Sequence, residues 1–148
     1  MAHEFIQHLV EDHEKQRRLG EQLRNAKDPK QREKLRQEFY DAVMPHVVGE
    51  EASLFRYMQE AGGKAREEAL KAIQEHHVAK LVLRELMDLS LETEVFNPKG
   101  YVLDEMNRHH MDEEEKTHFP MLEGMASRQK LDELFQDYQE AEEKKESG

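Results

Sequence analysis

His46, Glu50, Glu51 and Phe55 recur 64 positions later as His110, Glu114, Glu115 and Phe119. In a helix, residues four apart share a face, so each stretch can aim an imidazole and a carboxylate at one point. The segments before them repeat as well. Asp12-His13, with Leu23 ten residues beyond the His, matches Glu75-His76 with Leu86 at the same remove. The chain therefore reads as two copies of one unit, each a helix with one His followed by a helix bearing His-x-x-x-Glu. Together they offer four His and two Glu, two half-sites for metal.

Helix formers dominate, and no segment alternates apolar and polar residues as a half-buried strand would. The expected fold is all-α, an up-down-up-down antiparallel four-helix bundle with a short C-terminal fifth helix. The first helix is expected over about Ala2 to Ala26, where Phe5, Ile6, Leu9, Val10, Leu19 and Leu23 form an apolar stripe. Asp28-Pro29 ends it and starts a second helix that stops near Gly62-Gly63, with Pro45 inside it, able either to strain the segment or to tilt His46. The third spans roughly Ala65 to Leu91, Glu92 to Lys99 reads as a loop, and the fourth runs from Tyr101 to Met125. Leu131, Leu134, Phe135 and Tyr138 suggest the fifth helix, followed by a fraying tail. Residues 1–126 are thus expected as the bundle and 127–148 as the helix and tail.

At 148 residues the chain has room for one domain with its own core. It contains no Cys, so disulfides, iron–sulfur centres and thiolate-bound zinc are excluded and any metal must sit on nitrogen and oxygen. A net charge of -11 repels phosphate backbones, which argues against nucleic acid. No apolar run approaches the ~20 residues of a membrane span, and the charged N-terminal stretch is unlike a secretory signal, so the expected location is the cytoplasm.

Nine His are more than the proposed site needs. A turn of about 100° per residue places His76 among Ala72, Ile73, Ala79, Leu83 and Met87, whereas His77 points toward Lys80 and Arg84. His110 is preferred to His109 because only it has a Glu four residues on that matches Glu50. His77, His109 and His118 are expected at the surface or behind the ligands. Glu51 and Glu115 point away from their neighbours and are expected in a solvated or supporting role. Phe55, Phe119, Leu54 and Met111 are expected in the core, and nothing in the spacing of Tyr40, Tyr57 or Tyr101 requires them at a metal. A lone His on an apolar face is usually a packed, hydrogen-bonded residue, but six metal-compatible side chains in register across four helices are hard to obtain from packing alone.

The segments EDHEKQRRL, PHVVGEEASLF, EHHVAKLVLREL and HHMDEEEKTHFPML together resemble the hemerythrin-like (HHE cation-binding) domain over about Ala2 to Gly124. That resemblance implies a non-haem di-iron centre. His13 and His46 would hold one iron, His76 and His110 the other, and Glu50 and Glu114 would bridge, with an oxo or hydroxo group between the ions. Oxygen-carrying hemerythrins have a fifth His one turn before the third-helix ligand, where this chain has Ala72, and their second bridge is an Asp five residues after its His. The chain is therefore closer to a four-His branch of the family, which counts against oxygen transport.

The ligand chemistry alone admits iron, manganese or zinc and disfavours calcium and magnesium, which prefer oxygen cages. The leading expectation is a protein that binds or senses dioxygen, nitric oxide or iron, acting on a protein partner if it is a sensor. The alternatives are an oxidoreductase that consumes peroxide or reactive nitrogen species, and a metal-free helical interaction module.

Overall fold

The computed structural model describes residues 2–147, with side chains described through Lys144. Among the described residues seven α-helices form: α1 (Glu4–Arg24), α2 (Pro29–Ala52), α3 (Leu54–Ala61), α4 (Gly63–Asp88), α5 (Phe96–Glu113), α6 (Phe119–Met125) and α7 (Arg128–Ser147). A π-helical turn over Glu114–His118 joins α5 to α6. Four rods result: α1, α2 with α3, α4, and α5 with α6. They pack as a ring in which α1 touches α2 and α5, and α4 touches α2, α3 and α5. The expected all-α bundle with an added C-terminal helix is what the chain forms. That last helix packs along α2 and also touches α1, and Gly148 and the side chains of 145–147 in the expected fraying tail lie outside the described residues.

The start signals act as their chemistry dictates. The Asp28 carboxylate accepts a bond from the Gln31 N–H, and Pro29 occupies the first turn of α2, where no N–H is required. The second helix departs from its expected single run because it breaks at Ser53, whose hydroxyl donates to the Gly49 carbonyl at 2.6 Å. Pro45, in contrast, is carried inside α2 without ending it. The fourth helix starts at Phe96, earlier than expected. Pro98 and Gly100 read as loop, but a proline in a first turn loses nothing, and burial of Phe96 anchors the start. Pro120, lacking an N–H, follows the π turn; Ser53 and Thr117 of that turn stand 64 positions apart, so both copies deform one turn past the Glu.

Two apolar clusters occupy the two ends of the bundle. One gathers Phe5, Leu9, Phe55, Ala72, Phe119 and Leu122 with Leu131, Leu134 and Tyr138 of α7. The other gathers Leu23, Phe39, Val43, Leu83, Leu86, Phe96 and Leu103. On every rod a His or Glu of the repeat lies between these clusters in sequence, so a buried polar layer lies across the middle.

Gly49 fixes how α7 sits. A Cβ there would lie 2.6 Å from Cδ2 and Cε2 of Tyr138. Replacing Gly by Ala inside a helix gains up to about 1 kcal/mol in propensity, whereas overpacking a rigid ring costs typically 1–3 kcal/mol. Gly49→Ala is therefore expected to lower the melting temperature; an unchanged or raised value would mean that α7 does not seat against α2.

Candidate metal centre

His13 from α1, His46 and Glu50 from α2, His76 from α4, and His110 and Glu114 from α5 and the π turn converge in the polar layer. All six are buried, Glu50 and Glu114 completely. Their potential ligand atoms form two groups, His13–His46–Glu50–Glu114 and His76–His110–Glu50–Glu114, each within 4.8 Å throughout. The two carboxylates belong to both groups. Glu50 lies 3.2 Å from His46 Nε2 and 3.2 Å from His76 Nε2. Glu114 lies 2.9 Å from His13 Nε2 and 2.6 Å from His110 Nε2. None of these contacts is aligned as a hydrogen bond: the four Nε2 atoms and all four carboxylate oxygens are buried without a hydrogen-bond partner. Polar atoms in that state are costly, and a cation among them relieves the cost.

The opposite edge of each ring is held. His13 Nδ1 meets Glu115 at 2.7 Å and His76 Nδ1 meets Glu51 at 2.9 Å. His46 Nδ1 meets Asp12 at 3.1 Å and His110 Nδ1 meets Glu75 at 3.0 Å. With Nδ1–H donating to a carboxylate, Nε2 presents its lone pair inward, the tautomer a metal requires. Each supporting carboxylate is the sequence neighbour of a ligand on another helix, so one dipeptide serves two histidines. Arg17 contacts Glu115 at 2.7 Å and Lys80 contacts Glu51 at 3.5 Å, each cation four residues beyond the His on the same helix. Tyr138 has no counterpart in the second half. Its hydroxyl donates to Asp12 at 2.6 Å and lies 2.8 Å from His46 Nδ1.

In the ion-free protein, protons take the place of cations. Burial disfavours a charged imidazole, but the Glu50 charge and the Asp12 contact raise His46 to about 10. His110 rises to about 9 against the same burial, through Glu114 and Glu75. Burial would raise Glu114 too, yet His110, His13 and His76 hold it well below the usual carboxylate range.

Phe55 packs edge-on to His76 and Phe119 stacks on His13, as expected of core residues beside the centre. His77 and His109 are exposed, but His118 is buried and lies 3.3 Å from Glu68. Tyr57 bonds the Met125 carbonyl, Tyr101 lies under Arg24, and Tyr40 packs in the second apolar cluster. Sequence reasoning noted Asp12 and Glu75 as part of the repeat without giving them a role; their signal was the shared acid-His dipeptide. Tyr138 offered no such signal, because it reaches the centre from the added helix.

A buried, nitrogen-rich cage of four imidazoles and two shared carboxylates inside a helical bundle defines a metal-binding protein. The family model for the hemerythrin HHE cation-binding domain matches residues 4–122, and the chain belongs to that family. Neither the curated proteins nor the solved structures contain a significant match to the chain. Ala72, one turn before His76, is fully buried in the first apolar cluster, so packing fills that place.

Proposed function

We propose that this chain is a non-haem di-iron protein of the cytoplasm that binds or senses dioxygen, nitric oxide or iron. His13 and His46 hold one ion, His76 and His110 the other, and Glu50 and Glu114 span both. The observation that carries this reading is the set of eight inward nitrogen and oxygen atoms, buried and unpartnered, with both carboxylates common to the two groups. The donor set fits ferrous iron, and equally manganese or zinc; family membership favours iron. Bound iron would supply reversible one-electron chemistry toward diatomic ligands.

Charge supports neutral ligands. Two divalent ions exceed Glu50 and Glu114 by two positive charges, but Asp12, Glu51, Glu75 and Glu115 surround the rings and Arg17 and Lys80 return two positive charges. The assembly is then neutral, with little pull on an anion. Among the described residues no helix is long and apolar enough to cross a membrane.

Protein loaded with ferrous iron without oxygen, then exposed to oxygen or nitric oxide, is expected to develop a visible absorption band that fades when the gas is removed. Rapid irreversible oxidation would overturn the binding reading. The enzyme reading is supported by the small donor set, since four imidazoles and two carboxylates shared by two ions would leave coordination positions free. It requires steady oxygen evolution from added peroxide, abolished in Glu114→Ala.

A further inference from the structure

The two halves of the repeat each have a mouth at the centre, and the mouths have diverged. On the first half, Asp12, Lys15, Asp41, Pro45 and Glu142 line a cavity of about 140 Å³. Moving α1 residues by 63 positions and α2 residues by 64, the offsets of the repeated His, carries Asp12, Lys15, Ala42 and Pro45 onto Glu75, Val78, Met106 and His109. Those residues line the second mouth, where the cavity is about 320 Å³ and its floor includes His76 and His110. The larger mouth is walled by Val43, Val47, Val78, Ala79 and Met106. Lysine has become valine and alanine has become methionine, while the acid at Asp12 is kept as Glu75.

Helix α7 explains the asymmetry. It covers the first half by laying Tyr138 on Gly49 and bringing Glu142 to the smaller mouth. The counterpart of Gly49 is Glu113, a side chain that leaves no such seat for a ring. The second mouth stays open, and Val78 at its edge is 47% exposed.

We propose that this second cavity is a binding site for a small, neutral, single-ring aromatic molecule bearing one hydroxyl, held beside the His76–His110 half of the centre. Its valine, alanine and methionine walls favour an apolar ring, with Glu75 and Lys80 also among the lining residues. Its volume is roughly twice the 150 Å³ of an apolar cavity that accepts benzene, and Glu75 at the mouth offers an acceptor for one hydroxyl. The role beside a metal rests on the dinuclear reading, whereas the cavity itself does not.

The test is a titration of the whole chain with phenol, followed by amide chemical shifts, on metal-free and zinc-loaded protein. Saturable shifts are expected at Val78, Ala79, Met106 and His110 in both forms. Ala79→Trp and, as a second filling variant, Met106→Phe should each weaken phenol binding at least tenfold, with folding checked by circular dichroism. Shifts confined to other surfaces, or affinity untouched in both folded variants, would overturn the proposal. Two metals per chain without phenol shifts defeats the cavity alone; phenol shifts in a chain that takes up no metal defeat the dinuclear reading and leave the cavity standing.

Discussion

Replacing Glu114 with Ala is expected to abolish metal retention, because this one carboxylate faces His13, His110 and His76 at 2.9, 2.6 and 3.7 Å. No neighbouring oxygen can replace it, since Glu50 already lies between His46 and His76. The loss should exceed the roughly 10- to 100-fold in affinity that removing a supporting carboxylate costs. Glu115→Ala supplies that comparison, for it deprives His13 Nδ1 of its partner while leaving every inward atom in place. Glu114→Gln guards against misfolding, keeping the shape and removing the charge. Metal content after dialysis against a chelator reads all three: near zero for both Glu114 variants and an intermediate value for Glu115→Ala. Equal retention in all three would show that Glu114 does not ligate.

Metal will stabilise the fold increasingly as pH rises. His46 and His110 have folded values of about 10 and 9, above the ordinary histidine value of 6.5. A raised folded value contributes stability that is complete below the unfolded value and lost as pH climbs through the folded one. The ion-free protein should therefore weaken steadily between about pH 6.5 and 10. Glu114, held low, acts in the opposite sense: its contribution is present above its unfolded value and lost as pH falls through its folded one. Ligation requires the Nε2 protons to leave, so each displaced proton strengthens binding about tenfold per pH unit while the imidazole is still protonated. The gap in melting temperature between zinc-loaded and metal-free protein should be small at pH 6 and wide at pH 8.5. A gap that narrows with pH would contradict proton displacement at these rings.

The repeat was legible because helical spacing converts sequence offsets into faces. His76 could be chosen over His77 from its apolar neighbours and His110 over His109 from the Glu four residues on that matches Glu50, and the structure buries His13, His46, His76 and His110 while leaving those other two exposed. The break at Ser53 and the π turn at Glu114 were not legible: the first accompanies a side-chain bond from Ser53 to the Gly49 carbonyl and the second is followed by Pro120, which lacks an N–H, and periodicity registers neither. Glu51 and Glu115 were correctly turned away from the inward position, but their grip on His76 and His13 crosses between helices and depends on how the rods are juxtaposed. Tyr138 was hardest to see. It was expected only as one of the apolar residues that mark the fifth helix, and its bond to Asp12 depends on where α7 folds back along α2.

The most direct test of the central claim is the transition-metal content of the wild-type chain, expressed with iron, purified without oxygen and measured by mass spectrometry against protein concentration. Two ions per chain are expected, lost on substitution of Glu114. One ion or none in correctly folded protein, under conditions that supply iron, manganese and zinc in turn, would contradict it.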